Sequence, residues 1–297
     1  MSHLELFHGL VAAGVKMRYG NKPGKNVLLR VLWEKKHIID AGYVDYYIMA
    51  CWMYRHYAMS AEINVWACGA VPSSVVCYCL GLTEVDPVKY GLHSARFVND
   101  ELPKFRFDIE ASRFDEFKNG AKELLQANAG EFDIPAITAC LLREDVKVGE
   151  RISIKYLWSC AFLSRKNERP VPENLDDELA RYALYMRDTM DLYEAYVNNP
   201  STFDGLIYQE QMMDILRNTF HVGGIKANQI RLAIQRGEAD QVEAYRRELF
   251  ASLKDITSDE AESSWKRLTS NPHAFLKAHA VSRILAGYYY DFPQLIY

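Results

Sequence analysis

The chain has 297 residues, of which 49% are hydrophobic, so it can bury one large core or two modest ones. Its formal net charge of −4 excludes a global basic field that would recruit nucleic acid, although a local basic groove remains compatible with it. No segment has the length of a membrane span, and the N-terminus lacks the charged-then-apolar plan of a signal peptide. We therefore expect a soluble, cytoplasmic protein with no membrane partner.

The cysteines indicate a reducing compartment. None of them forms a paired CxxC motif with a matching second pair, and most lie in apolar runs. They are Cys51, Cys68, Cys77, Cys79, Cys140 and Cys160. Free, buried thiols are the expected state, and no metal ligation by cysteine is predicted.

The first half of the chain mixes helical and strand-like patterns. In chain order we predict helices over 4–19 and 27–59, a buried helix in 71–82, a turn at Asp86-Pro87, a strand over 105–109, a helix over 112–127 and a short β-like patch in 150–160. The glycines and proline of 20–24 separate the first two helices.

The second half reads as helical throughout. Predicted helices cover 174–197, 207–220, 224–236, 239–254 and 258–269. Thr257 and Glu260 have the spacing of a capping box at the start of the last one. The prolines of 170–172 mark the expected boundary, so we predict an α+β, predominantly helical protein with a small mixed domain over 1–170 and a helical domain over 171–297.

Three consecutive segments of the first half carry a family resemblance. They are Tyr78–Leu92, Arg96–Asn99 and Pro103–Glu110. Together these segments resemble the palm of the bacterial replicative DNA polymerase III alpha subunit, of the C family. In that register the two metal-binding aspartates of the family fall on Lys104 and Arg106. The resemblance thus implies a palm-like domain whose catalytic charges are inverted.

The second half resembles the fingers of the same family. Gly205–Met213, Gly224–Ile234 and Phe275–Val281 are similar to three family motifs in the family's order. The resemblance implies a fingers-like domain and the following DNA- or nucleotide-binding candidates: Tyr208, Gln209, Gln211, Arg231, Arg236, Lys277 and His279. A structural alternative stays open, because Tyr208 is also spaced to join a helical core stripe and a lone histidine is more often structural.

The metal chemistry of the family depends on carboxylates that this sequence lacks. Two magnesium ions need oxygen ligands, which Lys104 and Arg106 cannot supply, and in the resemblance Leu157 stands at the third aspartate. No metal or other cofactor is therefore expected. Asp108 and Glu110 alternate on the same strand and are the fallback ligands.

The resemblance also implies a weakened triphosphate loop. Only Gly69 and Ser74 keep the family pattern, while Cys68 stands at the phosphate-binding arginine and Pro72 removes a backbone donor. The sequence therefore predicts a loop that no longer binds a triphosphate tightly.

Three functions follow from these patterns. The leading one is a non-catalytic, replication-related relative that binds DNA or a protein partner, with Lys104 and Arg106 gripping a backbone phosphate. The second is an active minimal polymerase, using Mg²⁺ held by displaced carboxylates such as Asp108 and Glu110 or by acids supplied in trans. The third is a structural protein-protein interaction module. A shortened copy of this kind suits phage or mobile-element replication.

Overall fold

The computed structural model describes residues 2–55, 65–110, 114–127, 171–187, 190–253, 255–270, 272–289 and 295–296. In these residues the fold is α+β and predominantly helical, as the sequence predicts. The chain divides into two compact units, one made of residues 1–172 and 281–297, the other of residues 173–280. The second unit thus stops at residue 280, whereas the predicted helical domain runs from 171 to the end.

The helices of the first unit are α1 (His3–Tyr19), α2 (Lys25–Asp40), α3 (Val44–Arg55), α4 (Val75–Cys79) and α5 (Phe114–Ala127). A capping box between Ser2 and Glu5 starts α1, and Gly20, with φ of 75°, ends it. Helices α1 and α2 both pack on α4, and α1 also packs on α3. The apolar spacing therefore predicts α1 to within a residue.

The helix predicted over 27–59 is wrong, because it is broken into α2 and α3. Gly42 has a φ of 72°, a left-handed backbone conformation that is strained for any residue with a Cβ atom. The N–H of Tyr43 donates to the carbonyl of Ile38 at 2.9 Å, and the N–H of Gly42 to that of Ile39 at 3.0 Å. These two hydrogen bonds form a Schellman-type helix end. The left-handed conformation of Gly42 therefore ends α2 and separates it from α3.

A small antiparallel sheet lies in the same unit. It is formed by β1 (Val65–Cys68), β2 (Arg106–Glu110) and β3 (Leu295–Ile296), in the spatial order β1-β2-β3. The indole nitrogen of Trp66 donates to Ser282 at 2.9 Å, and the Ser282 hydroxyl donates to the carbonyl of Ala67. These bonds fasten the segment after residue 280 to β1, which is why it belongs to the first unit.

The core of the first unit is aromatic around the sheet and tightly packed between helices. The ring of Tyr47 lies 5.2 Å from that of Phe105, which lies 5.2 Å from that of Phe97, in edge-on geometry. A side chain at Gly14 of α1 would sit 1.9 Å from the carbonyl oxygen of Cys79 in α4. Glycine is thus required at Gly14 for the two helices to approach this closely.

The apolar run predicted as a helix over 71–82 is buried but only partly α-helical. A 3₁₀ turn covers Val71–Ser73, and α4 spans just Val75–Cys79. Pro72 lies in the 3₁₀ turn, and the chain then bends through Gly81 with φ of 74°. Proline and glycine together limit the helix to five residues.

The second unit contains α6 (Asp176–Met186), α7 (Met190–Asn198), α8 (Gln209–Phe220), α9 (Gly224–Arg236), α10 (Ala239–Ala251), α11 (Ser258–Thr269) and α12 (Lys277–Tyr289), the last of which runs across the boundary between the units. The helix predicted over 174–197 is two helices. The capping box of Thr257 and Glu260 is confirmed, with an N–H to hydroxyl distance of 3.2 Å. Rings of Phe220, Phe250 and Trp265 pack together at 5.9 to 6.4 Å.

The predicted free thiols are confirmed for the four cysteines in the described residues. Cys51, Cys68, Cys77 and Cys79 are buried and form no disulfide. Cys140 and Cys160 lie outside the described residues, as does the β-like patch predicted over 150–160. None of the helices in the described ranges has both the length and the apolar character that a membrane crossing needs.

Candidate functional site

Lys104 and Arg106 are exposed where the chain enters β2. They alternate with Pro103 and Phe105, both of which are buried, so the two cations share the outer side of the strand. Strand pairing sets Arg106 opposite Cys68 of β1. The aromatic contacts of Phe105 therefore anchor the start of β2, where the chain carries two exposed basic side chains.

The structure brings Gly69 and Arg106 together. Gly69 follows β1 with φ of 63°, and a Cβ built on it would lie 3.3 Å from Cδ of Arg106. The aliphatic part of the Arg106 side chain thus lies over the glycine. Two candidates more than 30 residues apart in sequence form one surface.

The fallback carboxylates have only their backbone positions described. Asp108 pairs with Trp66 across β1 and β2, and Glu110 pairs with Leu295 of β3. Their side chains and Leu157 lie outside the described residues. Elsewhere in the described ranges, no three His, Cys, Asp or Glu side chains group together in a way that could hold a metal ion.

Ser74 is fully buried and bound to an internal carboxylate. Its hydroxyl accepts the N–H of Cys77 as the N-cap of α4 and donates to Oε2 of Glu34 at 2.7 Å. The same carboxylate accepts the N–H groups of Val75 at 3.1 Å and Val76 at 3.0 Å. The amides that begin α4, which in a phosphate cradle would face the ligand, are therefore already bound to Glu34.

Glu34 was not predicted as a site residue, although the sequence holds a signal for it. It lies on the buried stripe of α2 with Val27, Val31 and Ile38, and it is 0% exposed. A charged residue on an apolar stripe demands partners, which here also include the guanidinium of Arg30 at 3.3 Å. A carboxylate among the apolar residues of a helical stripe is therefore the sequence signal for this buried polar site.

Glu84 and Asp86, the acidic residues of the motif that precedes β2, bind side chains of α1. Arg18 makes a two-pronged ion pair with Glu84, at 2.7 and 2.8 Å, and stacks on the ring of Tyr78 at 4.5 Å. The hydroxyl of Tyr19 donates to Asp86 at 2.8 Å, and burial raises the pKa of that hydroxyl. These contacts fold the motif onto the first helix.

In the second unit, two of the three segments that resemble fingers motifs, Gly205–Met213 and Phe275–Val281, pair with each other. The N–H of Gln209 donates to the carbonyl of Phe275, and the N–H of Phe275 donates to that of Ile207, both at 2.8 Å. The side-chain oxygen of Gln211 accepts the N–H groups of Ile207 and Tyr208, at 2.7 and 2.8 Å. The backbone bonds join Gln209 to the segment that carries Lys277 and His279, whereas Gln211 binds the backbone just before α8.

The other side chains where these two segments meet mostly contact groups within the protein. Tyr208 is 9% exposed, and Nζ of Lys277 lies 5.8 Å from its ring centre. Glu210, which is 2% exposed, accepts the N–H of Lys277 at 2.9 Å and so caps α12. The ring of His279 lies 5.8 Å from that of Phe275. The local geometry is that of a structural junction between α8 and α12.

The two arginine candidates of α9 differ in exposure. Arg231 is 1% exposed and donates to Asn228 at 3.1 Å and to Gln235 at 2.5 Å, so its guanidinium lies inside the helical unit. Arg236 is exposed at the end of α9, with its guanidinium 3.7 Å from Glu238. Of this pair, Arg236 alone is presented at the surface.

Known proteins match the first part of the chain. Residues 5–126 match the family described as the bacterial DNA polymerase III alpha NTPase domain. An error-prone DNA polymerase of Anaeromyxobacter sp. (strain K) is 32% identical over 119 residues, which are 39% of this chain and 10% of that protein. The DNA polymerase III subunit alpha of Borreliella burgdorferi is 34% identical over 109 residues, 35% of this chain and 9% of that protein.

The matched segment contains the surface formed by Gly69, Lys104 and Arg106. The resemblance to the DNA polymerase III alpha subunit, predicted from the motifs of the first half, is confirmed for this segment. The match spans about a tenth of the length of these relatives, and it ends before the fingers-like segments of the second unit. The chain is thus similar to a replicative polymerase over one region.

Proposed function

We propose that this protein is a non-catalytic relative of the DNA polymerase III alpha subunit that binds DNA in replication, with a palm-like first part and a fingers-like second part. The observation that carries this function is the exposed pair Lys104 and Arg106, within the segment that matches the family. In the register of the resemblance, these cations stand where the family has its metal-binding aspartates.

The side chains at these two positions do not fit a magnesium ion. Magnesium takes hard oxygen ligands in near-octahedral geometry, and neither an ammonium nor a guanidinium offers one. A cation about 4 Å from the ion would add several kcal/mol of repulsion at an intermediate effective dielectric. The motif acids Glu84 and Asp86 are bound to Arg18 and Tyr19. Among the side chains that the structure describes, none therefore supplies a ligand set for nucleotidyl transfer at Lys104 and Arg106.

The same two side chains suit the backbone of DNA. A guanidinium binds phosphate through two parallel hydrogen bonds, and an ammonium binds it as a point charge. The packing of Arg106 over Gly69 restricts the aliphatic part of its side chain before any ligand arrives. Less side-chain entropy is then lost on binding, which favours the complex.

A salt series on primed DNA tests this function. We expect Lys104→Glu/Arg106→Glu to weaken binding in fluorescence anisotropy and to lower the slope of log affinity against log salt by about 2, since each lost phosphate contact contributes about 0.9. The matched control is Lys16→Glu/Lys22→Glu, which reverses two other exposed charges of the same unit. An unchanged slope in the first variant, or an equal loss in the control, would overturn the proposal.

Primer extension separates this function from an active minimal polymerase. With Mg²⁺, deoxynucleotides and primed template, the purified chain should extend no primer. Template-directed extension that Asp108→Asn/Glu110→Gln abolishes would instead establish the displaced carboxylates as metal ligands. Extension that appears only on adding a second polypeptide would establish completion in trans.

A second candidate function, a scaffold for a protein partner, is favoured by the outer face of α2. Leu28, Leu29 and Leu32 are 43%, 55% and 62% exposed, and Lys25 and Lys36 flank them along the helix. Exposed leucines between basic residues complement an acidic amphipathic helix, which would bury the leucines and pair its acids with the lysines. We take such a helix as the occupant of this face.

A labelled acidic Leu/Glu helical peptide tests this surface by anisotropy. Leu29→Glu/Leu32→Glu should abolish peptide binding, whereas Leu4→Glu, an equally polar change at a 41% exposed leucine of α1, should leave it unchanged. Failure of the intact protein to bind the peptide, or binding to anionic lipid vesicles in its place, would reject the scaffold function.

A further inference from the structure

Lys35, beside the exposed leucines of α2, is partly buried although its neighbours on the helix carry no charge. The residues three and four places away, which adjoin it on the helix surface, are all apolar: Val31, Leu32, Ile38 and Ile39. In the part of the chain that the structure describes, its ammonium takes part in neither a hydrogen bond nor an ion pair. Burial lowers the pKa of Lys35, which is the effect of a cation drawn away from water. Lys35 thus carries a positive charge that loses hydration without gaining a counter-charge.

The next residue, Lys36, is in a different state. It is exposed, and its Nζ pairs with the carboxylate of Asp40 one turn further along the same helix. Lys36 therefore keeps its hydration and already has an acid, so a partner gains little by pairing with it. The two lysines are adjacent in sequence and differ in their need for an opposite charge, which makes Lys36 the matched control for Lys35.

Lys35 lies in a stripe of α2 that has the spacing of a helix-pairing seam. Leu28 and Leu32, which are 43% and 62% exposed, precede it by seven and three residues, and Ile39 follows it by four. Intervals of four, three and four residues are those between successive a and d positions of a coiled-coil heptad, the positions that face a partner helix. A helix that covers the two leucines therefore also covers Lys35, because Lys35 lies only about 4.5 Å further along the axis than Leu32.

The stripe also indicates which kind of helix covers it. An apolar residue placed against Lys35 would remove more water from the ammonium and leave it unpaired, which is unfavourable. A second copy of α2 would place lysine, leucine or isoleucine from the same stripe there, and none of these carries a negative charge. A glutamate has the reach and the charge to pair with the ammonium inside such a contact. The complementary partner is therefore an amphipathic helix with a glutamate among its apolar contact residues.

We propose that Lys35 pairs with a glutamate of a partner helix and that this pair fixes the position of that helix across Leu28 and Leu32. A polar residue within an apolar helix seam sets the register in this way, because other alignments leave it unpaired. The inference rests on the scaffold function proposed above and specifies where the partner carries its acid. General attraction between an acidic helix and the lysines of α2 would require no acid at any one position.

Two labelled helical peptides of identical composition test this pairing by anisotropy with the intact chain. Both carry the same leucine stripe. One glutamate stands within that stripe in the first peptide, and in the second it has exchanged places with a glutamine of the opposite face. The first peptide should bind about tenfold more tightly, because only its glutamate reaches Lys35. Equal affinities would overturn the inference and leave the scaffold function in place, whereas failure of both peptides to bind would reject the two together.

Variants of the chain assign the preference to Lys35. Lys35→Gln should weaken binding of the first peptide about tenfold and remove the difference between the two peptides. Lys36→Gln should change either affinity less than about threefold, because Lys36 already pairs with Asp40. A peptide with lysine in place of the stripe glutamate should bind Lys35→Glu more tightly than the wild type, which a purely structural role of Lys35 does not predict. Equal losses in Lys35→Gln and Lys36→Gln, or no rescue by the exchanged charges, would refute the pairing. Circular dichroism verifies the fold of each variant.

Discussion

Replacing Glu34 with glutamine should destabilise the first unit more than any conservative surface change. The carboxylate is 0% exposed. Its Oε1 accepts from Val75 N and the Ser94 hydroxyl, at 3.1 and 2.6 Å, and its Oε2 accepts from the Ser74 hydroxyl and Val76 N, at 2.7 and 3.0 Å. Glutamine has the same volume, so the change removes charge and one acceptor without opening a cavity.

The magnitude follows from the geometry of the two oxygens. Either orientation of the new amide places its NH₂ group against one backbone N–H, that of Val75 or that of Val76. A buried donor left without an acceptor costs about 1–3 kcal/mol. The change also deprives Arg30, which lies 3.3 Å from the carboxylate, of its negative partner. Breaking a buried charge pair in this way costs about 3–5 kcal/mol in total.

Urea unfolding followed by far-UV circular dichroism measures this cost. With a slope of about 2–3 kcal/mol per molar urea, the midpoint of the first unit should fall by roughly 1–2 M in Glu34→Gln. Asp40→Asn is the control, because the exposed pair of Asp40 with Lys36 on the same helix should be worth less than about 0.5 kcal/mol. A loss below about 1 kcal/mol in Glu34→Gln would refute the capping role.

The remaining predictions concern packing, thiols and a helix cap. Gly14→Ala would place a methyl group 1.9 Å from the carbonyl oxygen of Cys79, so thermal unfolding should show a loss of about 1–3 kcal/mol of stability. Gly9 has nothing within 4 Å, so Gly9→Ala should gain about 1 kcal/mol of stability. Equal effects of the two variants would contradict the close approach of the helices at Gly14. Burial raises the pKa of the Cys79 thiol to about 12, so peptide mapping should find it alkylated at pH 8 only after unfolding, and immediate labelling would show exposure. Thr257→Ala should cost about 1 kcal/mol at pH 7 in urea unfolding. The backbone N–H and hydroxyl of Thr257 hold the pKa of Glu260 below its usual range, so this contribution is present above the unfolded pKa and is lost as pH falls through the folded value. The difference between Thr257→Ala and wild type should therefore shrink at pH 3, and a constant difference would contradict the cap.

Periodic apolar spacing predicts the helices well, and the failures have local causes. The bounds of α9 and α11 are those predicted, because each ends at a clear signal, Gly237 in the left-handed conformation or the residues before Pro272. The predicted helix over 27–59 fails at Gly42, since a pattern of apolar residues can continue across a tight turn that keeps both helices on one core. The spacing of apolar residues alone does not distinguish one continuous helix from two helices joined by a tight turn.

The part of the candidate site that follows from strand alternation, the exposure of Lys104 and Arg106, was predictable from the sequence. The period of two around Phe105 places Lys104 and Arg106 on one outer face, which the structure has. The hydrogen bond of Ser74 was not predictable from motifs, because its partner Glu34 lies 40 residues away and is brought to it by tertiary packing. Arg231 bonds Asn228 of its own helix, and the motif gave no sign that this arginine is buried. A matching residue type therefore does not establish that its side chain is available to a ligand.

The state of α4 bears directly on how this protein can hold a phosphate. Backbone amides at a helix start attract anions, and here Glu34 already supplies the anion from within the fold. A phosphate at this place would have to displace a buried carboxylate together with its four hydrogen bonds and its pairing with Arg30, which costs more than a single phosphate contact returns. Under the proposed function, phosphate binding in the first unit therefore depends on surface side chains. The exposed cations at the start of β2 take that role in the proposal, which combines the loss of amide-based phosphate binding with the gain of Lys104 and Arg106 as one change, from binding a triphosphate to binding a DNA backbone.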